Sequence, residues 1–145
     1  MPKTSIFWFR RDLRISDNPA LLAAFAEGDE VLPIFIVDQA ISDRAGEFRR
    51  SYLASAFKHL DKTLAGNLQV FEGDAVEILQ KLTKKYNTTS IHCAKQYAPY
   101  GVALEKRISE SGIKLDFTGC DYAVDPGKVR KPDGTPYKVY TPFFK

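Results

Sequence analysis

Neither glycine-rich signature that wraps a phosphate, G-x-G-x-x-G or G-x-x-x-x-G-K-[ST], occurs anywhere in this 145-residue chain. Those motifs work by turning several main-chain N–H groups onto one anion, so no loop here carries a ready backbone cradle. Cysteine is almost absent. Cys93 and Cys120 stand far apart without metal-ligand spacing, and each reads as a small reduced thiol, not as part of a disulfide framework. Histidine is equally scarce: His59 falls mid-helix and His92 mid-strand, positions that suit packed or surface side chains better than a catalytic base. No serine or cysteine sits in a G-x-S-x-G context, and no carboxylates are grouped at metal-binding spacing, so no metal is expected. Long apolar runs and a signal-type apolar N-terminus are missing too, which makes a cytoplasmic location and no membrane partner the expectation. Taken alone, the chain does not read as a complete enzyme.

What is present is ordinary globular composition, 44% hydrophobic and 27% charged, enough for one domain with a continuous core. The net charge of +3 is unevenly spread. Residues 1–125 hold 16 Lys/Arg against 17 Asp/Glu, net −1, and residues 126–145 hold 5 against 1, net +4. A nucleic-acid footprint normally puts a basic stripe on the folded face. The body of this chain has none.

Strand and helix signals alternate. Ile6 to Phe9 reads as a strand, and Asn18 with Pro19 opens a helix whose Leu21, Leu22 and Phe25 form an apolar face ending near Gly28. "LPIFIV" is apolar on both faces, as a parallel strand covered on both sides should be, and is expected to start at or near Pro33. "GEFRRSYLASAFKHLDKTL" is the longest predicted helix, with Leu53, Phe57, Leu60 and Leu64 on one side. "LQVF" is the third strand, and Asp74 with Glu77 resembles a capping box opening the next helix. "SIHCA", "PYGVALEKRI" and "KLDFTG" complete the series. Five such repeats predict an α/β fold of Rossmann-like three-layer type, a five-stranded parallel sheet of order 3-2-1-4-5 with helices on both faces. After Gly119 the alternation stops. Residues 1–125 are thus the predicted domain and 126–145 an extended connector, with a turn at "PDGT" and aromatic residues Tyr137, Tyr140, Phe143 and Phe144 that call for a packing partner.

Ligands of open parallel sheets bind beyond the carboxyl ends of the strands, where the strand order reverses. That rule points to Phe9 to Asp12, Val37 to Asp43 and Ala94 to Tyr97. The first of these loops, "RRDLR", offers guanidinium forks around Asp12. Arginine pairs bidentately with carboxylates and phosphates alike, so a structural ion pair and a ligand contact both fit the chemistry. The structural reading pairs Arg10 and Arg14 with Asp12 or Asp17; Arg11 is the better candidate for a ligand.

The stretch "WFRRDLRISDNPAL" resembles the N-terminal signature of DNA photolyases and cryptochromes, W-F-R-x-D-L-R followed by D-N-x-A-L. Trp8, Phe9, Arg10, Asp12, Leu13, Arg14, Asp17, Asn18, Ala20 and Leu21 match it. "FRRSYLASAFKHLDKTL" is similar to the family's R-x-x-[FY]-L helix through Arg49, Tyr52 and Leu53, and "FEGD" and "YAPYGVALEKR" follow in order. "GTPYKVYTPFFK" resembles the G-x-P-Y-x-V-[FY]-T-P-F segment leading out of the first domain. Two departures stand out: Ala75 where proline is frequent, and Leu104 with Glu105 where an Arg-Asp pair is usual. The resemblance implies the α/β domain of a deoxyribodipyrimidine photo-lyase, holding an antenna chromophore (folate, deazaflavin or FMN) that passes excitation energy to FAD. FAD and UV-damaged DNA would be bound by a helical domain outside this chain, which is expected to be a truncated piece, monomeric, and inactive alone. By position, Phe9, Arg10, Arg11, Asp38, Arg49, Lys95, Gln96, Tyr97 and Tyr100 correspond to the antenna pocket, with Phe9 and Tyr97 flanking a flat ring. A cryptochrome-type photoreceptor is the alternative, and a generic nucleotide-binding module a distant third.

Overall fold

Alternation along the first strand splits the core in two. The computed structural model describes residues 2–88 and 90–144. In it, β1 (Thr4–Phe9) turns Ile6 and Trp8 into one apolar cluster and Phe7 and Phe9 into another. A strand whose side chains alternate between faces can fill both layers only if it lies centrally with helices on each side. That is where β1 lies. The sheet order is β3-β2-β1-β4-β5, every pairing parallel, formed by β2 (Glu30–Val37), β3 (Gln69–Glu72), β4 (Ser90–Lys95) and β5 (Lys114–Cys120). The predicted fold and strand order are those observed.

The helices are α1 (Pro19–Glu27), α2 (Gln39–Ser42), α3 (Glu47–Thr63), α4 (Ala75–Tyr86), α5 (Pro99–Glu110) and α6 (Tyr140–Phe144). Ala20, Leu21 and Ala24 of α1 and Leu60 of α3 pack with Phe7 and Phe9, whereas Leu79 and Leu82 of α4 and Leu104 and Ile108 of α5 pack with Ile6 and Trp8. Helix α4 opens as its sequence predicts: Asp74 Oδ1 accepts from the N–H groups of Val76 and Glu77. Among the described residues no helix is long and apolar enough to cross a membrane.

Three expectations need correcting. β2 begins at Glu30, before Pro33; because β3 pairs only with Ile34 to Val37, one edge of β2 is free at Pro33 and tolerates a residue without an N–H. Helix α3 buries less than its pattern implies. Leu60 is covered, Leu53, Phe57 and Leu64 are half-buried, and Phe48 and Tyr52 on another face stand exposed. The connector carries the predicted turn, closed by the Lys131 N–H donating to the Thr135 carbonyl, but it also ends in the short helix α6. The aromatic residues of the tail pack on one another, Tyr140 stacked on Phe144 and Tyr137 edge-on to Phe143, and Tyr140, Phe143 and Phe144 leave much of their surface exposed.

Gly28 closes α1 for a reason other than handedness. Its φ of −112° is open to any residue, but a Cβ there would lie 2.5 Å from Ser5 Oγ and 2.9 Å from the Glu30 carbonyl oxygen. We expect Gly28→Ala to cost about 1–3 kcal/mol, the range for overpacking a close contact. In urea denaturation the midpoint should fall with the slope unchanged; an unmoved midpoint would show that Ser5 and the β2 backbone give way freely.

Candidate functional site

Beyond Phe9 the chain leaves the sheet through a buried polar knot. The Arg10 N–H donates to Asp12 Oδ1 at 3.0 Å, and Asp12 Oδ2 accepts from Asn18 Nδ2 at 3.0 Å. Asn18 Oδ1 in turn accepts from the Leu21 N–H and caps α1. The end of β1 and the start of α1 are thus tied through two side chains that water scarcely reaches, Asp12 and Asn18.

The Arg10 guanidinium turns the other way. It lies 4.7 Å from the Trp8 ring centroid, and its Nη1 donates to Glu105 Oε1 of α5 at 2.5 Å and, more weakly, to the Ala94 carbonyl at 3.4 Å. The same Glu105 oxygen accepts from the Gln96 N–H at 3.0 Å. One carboxylate therefore fastens the loops after β1 and β4 at the point where the strand order reverses. The arginine partners expected from sequence are corrected here. Arg10 pairs through its side chain with Glu105, not with Asp12, and Arg14 donates to the main-chain carbonyl of Asp17 instead of to a carboxylate. Glu105, which departs from the family pattern, supplies the partner itself.

The predicted site residues separate into five groups. Phe9 is fully buried, edge-on to Phe7 at 4.6 Å between ring centroids, so it offers no face to a ligand and does not flank a pocket with Tyr97. Arg10 and Gln96 are buried frame; the Gln96 side chain covers Gly101, where a Cβ would lie 2.4 Å from its Oε1. Asp38 and Tyr100 form a bridge: Asp38 Oδ1 caps α2, its Oδ2 accepts from the Tyr100 hydroxyl, and the pair spans the end of β1, which lies between β2 and β4. Lys95 and Tyr97 form an outer edge, with the ammonium 5.5 Å from the Tyr97 ring, which itself meets Tyr122 at 6.2 Å. Arg11 is exposed, with Asp121 4.0 Å away, and Arg49 lies exposed early in α3 apart from the others.

Two cavities flank the β1–α1 loop. One of about 520 Å³ lies against Arg14, Asp17 and residues 119–125, and another of about 570 Å³ separates Arg11 and Arg14 from Tyr52 and His59 of α3. Apart from Arg11 and Arg14, sequence reasoning passed over these walls, although Tyr52 and His59 share a helical face seven residues apart and were open to that reading. At the opposite end of the sheet the fold gathers what spacing did not show. Glu27, His92 and Asp116 bring ligand-type atoms within 4.8 Å of one another. Both carboxylates are already paired, Glu27 with Lys3 at 3.2 Å and Asp116 with Lys114 at 2.6 Å, and His92 Nε2 meets Glu27 at 2.8 Å.

The sequence matches the DNA photolyase family over residues 5–145. It is 32% identical to the deoxyribodipyrimidine photo-lyase of Agrobacterium fabrum over 147 residues, covering 97% of this chain and 30% of that protein. The fold is similar to a solved bacterial class III photolyase from Agrobacterium tumefaciens, with a TM-score of 0.82 and 31% identity over 98% of this chain and 31% of that one. An archaeal photolyase from Sulfolobus tokodaii, solved with two FAD molecules and an implied novel light-harvesting cofactor, is similar at a TM-score of 0.69 and 32% identity, over 80% of this chain and 29% of that one. The chain spans about a third of the length of these relatives.

Two outcomes test the geometry. Glu105→Gln keeps the volume but leaves the Arg10 guanidinium without a counter-charge; we expect a loss of about 3 kcal/mol in urea denaturation, at the low end for breaking a buried pair. A loss below about 1 kcal/mol would class the contact with screened surface bridges. The Tyr100 hydroxyl is pushed up to about 12 by burial and by the Asp38 carboxylate. Its folded value thus lies above the ordinary value near 10. The bridge contributes fully below that ordinary value and is lost as pH rises through about 12. Absorbance titration should show one tyrosinate fewer near pH 10–11 in the native protein than in Asp38→Asn.

Proposed function

The chain belongs to the DNA photolyase family, and from that premise we propose that it is the light-harvesting, antenna-chromophore domain of a DNA photolyase. The observation that carries this reading is the continuity of the match, through all five strands and into the connector, together with the Asp38–Tyr100 hydrogen bond across their carboxyl ends. In the proposed arrangement residues 1–125 form the antenna domain and 126–145 the start of a connector to a helical FAD-binding domain. The complete protein would split pyrimidine dimers in UV-damaged DNA by light-driven electron transfer from reduced FAD. This chain by itself would leave dimers intact.

Energy transfer asks little chemistry of the antenna domain. It must hold a flat conjugated ring in fixed orientation, which favours a few rigid polar contacts on an ordered scaffold. Asp38 and Tyr100 offer an acceptor and a donor already locked together, Lys95 a cation, and Tyr97 an aromatic edge. Gln96 and Arg10 hold the loop beneath. Arg11 and Arg49 lie farther out and serve as candidates for the charged part of the chromophore. The flavin-type cofactor of the Sulfolobus tokodaii relative supports including FMN beside folate and deazaflavin as ligands.

The test is a near-ultraviolet and visible absorption titration of the purified chain with each of the three chromophores. We expect one of them to give a saturating spectral change that weakens at least about tenfold in Tyr97→Ala and Lys95→Ala, the size of one or two lost polar or cation–π contacts. If a cooperatively folded sample binds none of the three, the antenna assignment of these strand ends is overturned. For the complete protein, the readout is loss of thymine dimers under visible light, and persistence of the dimers overturns the repair assignment.

A further inference from the structure

The β1–α1 loop and α3 face each other across the cavity of about 570 Å³, and among the described residues no carboxylate lines it. On one wall stand Arg11 and Arg14; on the other, Tyr52, Ser55 and His59 occupy one face of α3. Leu53, Phe57, Leu60 and Leu64 belong to a separate face of that helix, turned towards the core. The polar stripe is therefore available to a ligand and not needed for packing. Arg14 is held in place by two donations to the Asp17 carbonyl, at 3.2 and 3.0 Å, yet among the described residues no carboxylate lies within ion-pairing distance of it. Arg11, 62% exposed, meets only Asp121 at 4.0 Å, which borders the neighbouring cavity. Two guanidinium groups thus keep free donors on a concave surface where one is pre-positioned and the other loosely tethered.

We propose that this groove binds the anionic tail of an aromatic ligand, with Arg11 and Arg14 gripping a phosphate or carboxylate, His59 and Ser55 adding donors, and the exposed Tyr52 ring lying against the ligand's apolar part. Guanidinium forks match the oxygen spacing of phosphates and carboxylates, and charge-assisted bonds of this kind are about twice as strong as neutral ones. The cavity is of the size that takes a small cofactor fragment. In the antenna reading, on which the identity of the ligand rests, the tail is that of the chromophore. The anion site itself rests only on the groove.

The experiment uses the intact chain and two probes. In the first arm, pyrophosphate is titrated while the arginine Nε–Hε resonances are followed by NMR; the Arg11 and Arg14 signals should shift saturably and the effect should weaken with added salt. In the second, FMN and riboflavin, which differ by the phosphate, are compared. FMN should bind about tenfold more tightly, and Arg11→Gln and His59→Gln, both exposed positions, should erase most of that preference while leaving urea stability unchanged. Absence of a saturable pyrophosphate shift overturns the proposal, as does equal affinity for the two flavins when both bind; the latter leaves the antenna reading standing. A pyrophosphate shift with no flavin binding supports the anion site and counts against a flavin as the chromophore.

Discussion

Burying a guanidinium at the crossing point of a parallel sheet costs several kcal/mol unless a counter-charge is held in place. The side chain of Arg10 is 4% exposed, and the carboxylate that meets it, Glu105, comes from a helix 95 residues further along the chain. Their bond is more than a local pair. Because Glu105 also takes the Gln96 N–H, the position of the loop after β4 is set by where the arginine sits, and the arginine is set by the Asp12–Asn18 link at its own main chain. The ends of β1 and β4, the start of α1 and the first half of α5 are consequently fixed relative to one another.

That frame explains how the outer side chains can be few and still ordered. Tyr100 sits one helical turn before Leu104, which is packed in the core beside the residue that pairs with Arg10, so its hydroxyl arrives at Asp38 from an anchored helix. Asp38 in turn caps α2 with its second oxygen. A hydrogen bond between two such points spans the end of β1 without either partner surrendering much freedom. Lys95 and Tyr97 leave the sheet beside Gln96, whose backbone is already held, and inherit the same rigidity.

Much of this organisation can be read from local sequence, because its causes are local. Two-sided apolar strands demand helices on both faces, Asn18-Pro19 and Asp74 mark helix starts through side-chain capping, and Pro-rich "DPGKVRKPDGT" cannot continue the repeat. The misreadings come from longer range. Nothing near Arg10 reveals that its partner is Glu105; Asp12 is nearer in sequence, but it serves the main-chain N–H instead. Phe9 looks like a pocket residue because it ends a strand, yet it shares its face with Phe7 and is covered by α1 and α3. Gly28 looks like an ordinary helix-ending glycine, whereas its actual constraint is the close approach of Ser5 in β1 and of the Glu30 carbonyl. The weak burial of α3 is likewise invisible to periodicity, which records spacing and not what covers each face.

Charge is legible in the same uneven way. A net charge of −1 over residues 1–125 argues against a broad basic face, since a nucleic-acid backbone samples charge over tens of ångströms. A small anion samples only its immediate surroundings, within about 8 Å at physiological ionic strength. On that scale the body of this chain is not neutral. Asp17, Asp121 and Asp125 outnumber Arg14 and Lys128 around one cavity, whereas Arg11 and Arg14 are the charged groups among the described lining of the other. The two populations cancel in the sum but not in the field at either groove. The fold therefore carries a local cationic site inside a domain whose overall charge gives no sign of one.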